Sequence, residues 1–398
     1  MRILIASDKY KGSLTATQVA QTIAGVLKEA LPEVECDMCP IADGGEGTVE
    51  AMVTALSGEW QTVMTQDAQG RSLEAAYGWC GQQAVMEMSA ASGLALVNDL
   101  PLIPATASTY GTGVMLKQAM AQGAQRIVIG IGGSATNDGG LGMAAALGYR
   151  FLDAEGKEVP AEMGQVMRMV RVERGKSAQS SVLSAQKEEV SPSEKNEDCD
   201  LSTEHSISCP VLVACDVDNP LLGEKGATRV YGPQKGVTDA AWFEERLEHL
   251  ADLVARDLGA DPRDVPGAGA AGGLGWGLMA FCGARLTNGF DLIAEQIGLE
   301  ARVARADLVI TGEGRLDAQT LHGKGPVGIA QMARRLGKKV AAFAGAIDES
   351  PALKAHFDFT RAIKPAELPL AEAIARAEEL LAVAVLESTG DIVRLLGR

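Results

Sequence analysis

The chain has 398 residues, 46% apolar and 22% charged, the balance of an ordinary globular protein long enough for two α/β lobes. A net charge of −16 argues against a nucleic acid or an anionic membrane as partner, since both need a basic face, and no apolar stretch is long enough to span a bilayer. An anionic small substrate stays admissible if local Lys or Arg, or a divalent cation held by carboxylates, meets it. The N-terminus opens directly on Arg2-Ile3-Leu4-Ile5-Ala6 with no signal-peptide anatomy, and seven cysteines without framework spacing point to reduced thiols, so a cytoplasmic protein is expected.

Residues 2–7 read as a buried parallel strand, and Asp8-Lys9-Tyr10-Lys11-Gly12-Ser13 follows it. A helix comes next, opened by a capping box at Thr15-Ala16-Thr17-Gln18 and closed by Pro32. Asp8, Lys9 and Lys11 thus fall where a strand's carboxyl end meets a helix start, the ligand edge of an open α/β sheet. A solvated loop is the plain alternative. The plan repeats with a strand over 34–38, a loop over 40–47 and a helix over 48–56. In that loop Asp43, beside two glycines, reads as a metal or phosphate-loop ligand, whereas Glu46 alone would serve as a helix N-terminal carboxylate.

Residues 59–87 read as short strands with a turn near Ala68-Gln69-Gly70, and 88–94 and 107–113 as two loops of small residues. A helix over 114–121 leads into the most unusual stretch, Arg126 to Gly142, RIVIGIGGSATNDGGLG. A β-branched run ends there in a glycine-rich loop that opens onto a helix over 141–147, the arrangement that aims backbone N–H groups and the positive end of a helix dipole at an anion. The loop carries Ser134, Thr136, Asn137 and Asp138 between the glycine pairs Gly132-Gly133 and Gly139-Gly140, more polar cargo than a turn requires.

From about 171 to 208 the composition turns to Ser, Glu and Lys, and a mobile surface insertion is expected. Cys199, His205 and Cys209 lie at its end, too few for a metal site, and the lone pair Cys36 and Cys39 stands at a strand end, not at the helix start a thioredoxin-type motif needs. A strand over 210–215 then runs into Asp216-Val217-Asp218-Asn219-Pro220, where the two aspartates share a face if the strand continues and make Asx turns if it does not. A helix over 240–258 follows. The run Gly267 to Gly275 reads either as another anion cradle or as close helix packing. Near the end, a strand over 307–310, a polar glycine loop over 311–317 bearing Glu313 and Gly314, the segment His322-Gly323-Lys324-Gly325-Pro326 before a helix, a strand over 340–344 and a helix over 371–381 restore the opening rhythm.

No P-loop, protein-kinase set or G-x-S-x-G elbow is present. Gly130-x-Gly132-x-x-Ala135, with Asp153 further on, is a weak dinucleotide fingerprint and keeps an NAD(P)-dependent hydroxyacid dehydrogenase as an alternative. Asp138 argues against it, because an aspartate beside a pyrophosphate is repulsive unless a cation separates them. A non-catalytic two-lobed binding protein is the other alternative, weakened by the carboxylates Asp8, Asp43, Asp138, Asp216 and Glu313 at successive strand-to-loop edges.

The strings SDKYKGSLTA, PIADGGEGT, GIGGSATNDGGLGMAAALG, CDVDNPLLG, GAGAAGGLGWG and TGEGRLDAQTLHGKGPVGIA together closely resemble the bacterial type-1 glycerate kinase family, from residue 1 to the chain's end. The stretch from about 171 to 208 departs from it, being longer and more polar than the family's connection there. The resemblance implies a flavodoxin-like α/β domain built from both chain ends, 1–75 and 292–398, and an inserted restriction-endonuclease-like α/β domain, 76–291. It implies ATP- and Mg²⁺-dependent phosphorylation of D-glycerate to 2-phosphoglycerate, with 3-phosphoglycerate as the alternative product, within glyoxylate- or glucarate-type carbon catabolism. A homo-oligomer stays open. On this reading Lys9 and Lys11 hold the substrate carboxylate or the ATP phosphates, Asp138 or Asp216 takes the hydroxyl proton, and Asp43 and Glu46 hold the metal. Gly132, Gly133, Ser134, Asn137, Gly139, Glu313, Gly314 and Lys324 are the expected nucleotide contacts, in a site whose closure excludes water.

Overall fold

A computed structural model of the chain describes residues 1–42, 44–175, 209–317, 320, 325–348 and 350–397. The expectations placed on Asp43, Lys324 and His322, and on Cys199 and His205, lie outside the described residues. Two compact units emerge: Met1–Trp60 with Gly78–Cys80 and Asn288–Arg398, and Gln61–Tyr77 with Gly81–Thr287. Among the described residues the strands are, in chain order, β1 (Arg2–Ile5), β2 (Glu35–Met38), β3 (Glu59–Gln66), β4 (Ser72–Cys80), β5 (Gln83–Glu87), β6 (Arg126–Gly130), β7 (Tyr149–Leu152), β8 (Arg171–Arg174), β9 (Val211–Ala214), β10 (Arg285–Thr287), β11 (Leu308–Leu316), β12 (Lys339–Ile347) and β13 (Phe359–Ala362). The boundary expected at residue 75 therefore falls inside β4, a strand of the second unit's sheet.

The first unit is built on the sheet β13-β12-β11-β1-β2, every pair of it parallel. Taken in chain order its strands follow the 2-1-3-4-5 arrangement of flavodoxin-like sheets, and the order reverses between β1 and β11. Ile3, Leu4 and Ile5 are all fully buried, as a strand covered on both faces requires. Ile3 and Ile5 pack with Val19, Ala20, Ile23 and Leu27 of helix Ala16–Ala30 and with Leu381 and Val385 of helix Ala377–Glu387. Each such side chain contributes roughly 2 kcal/mol of burial. Helix Gly325–Arg335 buries Ile329, Ala330 and Ala333 and packs against β11 and β12. The expected capping box is present: Thr15 Oγ1 accepts from the Gln18 N–H at 3.2 Å, and the Thr15 N–H donates to Gln18 Oε1 at 2.9 Å. The closing helix expected over 371–381 is two helices, Leu370–Ala375 and Ala377–Glu387, broken at Arg376.

The stretch 311–317 is not a loop. β11 continues to Leu316 in register with β12, from Gly312 opposite Phe343 to Leu316 opposite Ile347. Its glycines permit close approach: a Cβ on Gly312 would stand 1.9 Å from the Phe343 carbonyl oxygen and 3.1 Å from the Tyr10 hydroxyl.

In the second unit the sheet order is β10-β9-β6-β5-β4-β3, with β10, β9, β6 and β5 mutually parallel along their pairings. β7 and β8 form a separate antiparallel pair. Residues 171–174 are thus a paired strand and not part of the expected insertion, whose remainder from 176 lies outside the described residues. Two expected loops are partly helical. Ser89–Ser92 forms a short helix, and Tyr110–Ala121 takes in Gly111, Thr112 and Gly113, because glycine there lets the helix press on its neighbours.

Gly312→Ala should cost about 2–3 kcal/mol, since the added methyl group meets a backbone carbonyl that cannot move aside. Urea unfolding checks this against Gly390→Ala, where an added Cβ meets nothing within 4 Å. That control should be neutral or stabilising by about 1 kcal/mol.

Candidate functional site

The glycine loop after β6 is held from within. Asp138 is 2% exposed, and its carboxylate accepts four hydrogen bonds. They come from the Thr109 N–H and Oγ1 at 2.8 Å each, the Gly140 N–H at 3.1 Å and the Gly142 N–H at 3.2 Å. Thr109 Oγ1 in turn accepts from the Met143 N–H at 2.9 Å. Three of these donors converge on Oδ2, and the Gly140 N–H alone reaches Oδ1. Asp138, expected as a candidate base, ties the loop to the starts of helices Tyr110–Ala121 and Leu141–Ala146. Burial raises its pKa, and the four donors oppose that shift.

Three further tethers fix the same loop. Lys235, 1% exposed, donates from Nζ to the Thr136 carbonyl oxygen at 2.7 Å. Asn137 Nδ2 donates to Thr228 Oγ1 at 2.9 Å, and the Gly139 N–H donates to the Gly272 carbonyl at 3.0 Å. Gly272 has a φ of +68°, and a Cβ there would lie 2.0 Å from the Thr136 carbonyl oxygen. Of the two readings of 267–275, close packing is therefore the one realised. Ser134, Asn137 and Gly139 are buried, so of the expected nucleotide contacts in this loop only Gly132 and Gly133 are exposed.

The parallel pairing brings the ends of β6 and β9 side by side. Gly130 is opposite Ala214, so the turns after β6 and β9 leave the same sheet edge. β9 ends at Ala214, which places Asp216 and Asp218 beyond the strand, both exposed. The dinucleotide reading fails on topology. The second strand of such a unit lies beside the first, but β7 pairs only with β8, and Asp153 accepts from the N–H groups of Glu155 and Lys157 in a turn.

The first unit carries the other group of expected residues. Lys9, Lys11, Glu313 and Gly314 gather at the carboxyl ends of β1 and β11. Lys9 donates from Nζ to the Glu46 carbonyl oxygen at 2.5 Å, and the Lys9 N–H donates to Asp8 Oδ1 at 2.6 Å. Glu46 itself is exposed. Glu313 Oε1 accepts from Thr320 Oγ1 at 2.7 Å. Tyr10 is a buried strut: its hydroxyl donates to the Phe343 carbonyl at 2.8 Å, and burial, then Glu313, raise its pKa. A cavity of about 570 Å³ opens over this edge. Arg315 and Lys364 line it as well. Sequence reasoning missed both, although Lys364 follows a strand directly, as Lys9 does. It missed Lys235 too, for which a lysine next to a turn glycine offers no signal.

Among the described residues no three His, Cys, Asp or Glu side chains gather as a metal site, and no helix is long and apolar enough to cross a membrane. None of the described cysteines is in a disulfide. Burial pushes the Cys39 thiol up to about 12, far from the reactive thiolate of a redox motif.

The profile of the glycerate kinase family matches residues 3–393. A glycerate kinase of Halalkalibacterium halodurans is 41% identical over 385 residues, 95% of each chain. The glycerate 2-kinase of Escherichia coli K12 is 41% identical over 355 residues, 88% of this chain and 86% of its own. A crystal structure of a glycerate kinase 2 from Salmonella typhimurium LT2 superposes with a TM-score of 0.83 at 38% identity, covering 99% of this chain and 98% of that one. This α/β chain belongs to the glycerate kinase family, and it is an enzyme of the kinase class.

Lys235 supplies a test of the loop's construction. Burial pulls its pKa down to about 7, and the facing Asp138 carboxylate partly opposes this. Between about 7 and the ordinary 10.5 the unfolded chain holds a proton that the folded chain has released, so this group's contribution to stability rises with pH across that window. Unfolding midpoints measured from pH 7 to 10.5 should therefore move in favour of the wild type over Lys235→Met.

Proposed function

We propose that the chain transfers the terminal phosphoryl group of ATP, with Mg²⁺, to the 2-hydroxyl of D-glycerate, giving 2-phosphoglycerate and ADP. The observation that carries this reading is the cationic sheet edge at Lys9 and Lys11, set among carboxylates in a chain of net charge −16 that belongs to the glycerate kinase family. The name of the E. coli relative supports the 2-phospho product. The hydroxyl oxygen attacks the γ-phosphorus, the bond to the β-phosphate oxygen breaks, ADP leaves and the hydroxyl proton passes to a base. Such transfer depends mainly on positioning and charge neutralisation.

Of the two aspartates expected as base we assign Asp216, because it is exposed whereas Asp138 is buried and accepts four internal hydrogen bonds. Lys9 and Lys11 would neutralise phosphate or carboxylate charge. Mg²⁺ needs only one or two protein carboxylates when nucleotide phosphates complete its shell, so the lack of a three-ligand cluster among the described residues fits it. The exposed Glu46 would hold it with Asp43, and the ion would supply charge neutralisation on the phosphates. The described cysteines, none of them in a disulfide, support assigning the reaction to the reducing cytoplasm.

Phosphorus NMR of a reaction with D-glycerate, ATP and Mg²⁺ should show ADP and 2-phosphoglycerate growing together. No ADP would overturn the kinase reading, and a 3-phosphoglycerate signal would overturn the regiochemistry. Asp216→Asn should lower kcat at least about 100-fold, the usual contribution of a general base, with the fold intact by circular dichroism.

A further inference from the structure

The turn after β9 runs between two fixed ends. At its start the Cys215 N–H donates to the Thr287 carbonyl of β10 at 3.0 Å. Asp216, Val217 and Asp218 then stand exposed beyond the strand. Asn219 fixes the far end through main chain and side chain alike. Its backbone carbonyl accepts from the Gly269 N–H at 2.8 Å. Its Oδ1 accepts from the Tyr231 hydroxyl at 2.7 Å, and its Nδ2 donates to the Lys225 carbonyl at 2.7 Å. Just past it the buried Leu221 donates its N–H to the Arg263 carbonyl at 2.9 Å, and its own carbonyl accepts from the Ala227 N–H at 3.1 Å. All of these residues belong to the second unit.

The chemistry of the Asn219 amide suits a clamp. An amide carries an acceptor and a donor on one rigid plane, and here a hydroxyl and a carbonyl meet them in the matching order. Tyr231 closes the short helix Ala227–Tyr231 and is half-buried. Burial, then Cys215 and Asp218 facing it, raises the pKa of its phenol, so the hydroxyl keeps the proton it donates. From the other side Gly267, with a φ of +90°, lets its segment pass close to the turn. A Cβ there would stand 3.1 Å from Cys215 Sγ and 3.2 Å from the Val217 carbonyl oxygen. A turn that only reverses the chain closes on itself with local bonds. This one is tied to Lys225, Tyr231 and Gly269 instead.

We propose that Asn219 and Tyr231 are positioning residues for the phosphoryl transfer, holding the turn after β9 so that Asp216 keeps one place at the sheet edge. The inference rests on the reading of Asp216 as base, and adds to it the two side chains through which the fold sets that carboxylate. Because Asp216 is exposed, its place is set with the backbone of the turn that carries it. Precision there matters: a displacement of about 1 Å at a reacting group can cost about 100-fold in rate.

The test uses the full chain with D-glycerate, ATP and Mg²⁺. Steady-state kinetics are run on wild type, Tyr231→Phe, Asn219→Asp, Asp216→Asn and the double variant Tyr231→Phe with Asp216→Asn, the fold of each checked by circular dichroism. Tyr231→Phe removes only a hydroxyl from a half-buried ring. Asn219→Asp keeps the acceptor for Tyr231 and loses the donor to Lys225. Each should lower kcat about tenfold, with KM for both substrates within about twofold of wild type. In the Asp216→Asn background, Tyr231→Phe should change kcat by less than about twofold, since it acts through that carboxylate. An equal loss in both backgrounds would overturn the proposal, because a general loosening of the fold adds independently. Wild-type kcat in both single variants, or a change confined to KM, would overturn it too. If Asp216→Asn still loses about 100-fold, the base reading then stands without it. Wild-type kcat in Asp216→Asn would remove the base reading and this one together.

Discussion

Burying a carboxyl group is costly unless hydrogen-bond donors meet it, and the second unit is arranged around one. Asp138 accepts from two N–H groups at the start of helix Leu141–Ala146 and from both donors of Thr109 at the start of helix Tyr110–Ala121. These four bonds tie the loop to two helix starts. Lys235 acts from the other side, through the Thr136 carbonyl. What the loop presents to solvent is then its bare backbone at Gly132 and Gly133, with Asp216 on the neighbouring strand's turn.

The first unit reaches a comparable result through backbone proximity. β11 and β12 stay paired well past the point where β1 turns away, and Tyr10 spans the gap to Phe343 with one hydrogen bond. That pairing is possible because residue 312 has no side chain to hold the strands apart. The extended pair carries Glu313, Gly314 and Arg315 alongside Tyr10 and Lys11, with a Cβ on Gly314 only 3.1 Å from the Lys11 nitrogen. A hollow results at the reversal of strand order, floored by the apolar core.

Charge gives this hollow its meaning. In a chain of net charge −16, most anions are repelled at long range. Four cations along one sheet edge form a local exception, and the carboxylates interspersed among them favour an anion that arrives with its own divalent cation.

The fold was legible in large part because it is written in local patterns. Ile3-Leu4-Ile5 can only be a strand buried on both faces, Thr15 to Gln18 can cap only a helix, and the β/α rhythm at both chain ends points to one parallel sheet. The edges at which Lys9, Lys11, Asp216 and Glu313 would lie followed from that rhythm. Their partners did not. An Asp among glycines reads alike whether it faces a metal or four internal donors, and only the approach of Thr109 decided for the latter. A glycine pair reads alike as an anion cradle or as clearance for a neighbouring backbone, and the position of the Thr136 carbonyl against Gly272 decided that. Lys235, Arg315 and Lys364 carried no periodicity to betray them, since what distinguishes them is the company that distant segments bring. Sequence alone therefore determined most of the strands and helices at both chain ends, the parallel sheet edge and the family, but not the extent of β11, the strand β8 or the short helix Ser89–Ser92. Tertiary structure decided which polar groups are spent on holding the loop and which remain for a ligand, because hydrogen-bond partners are set by proximity in space.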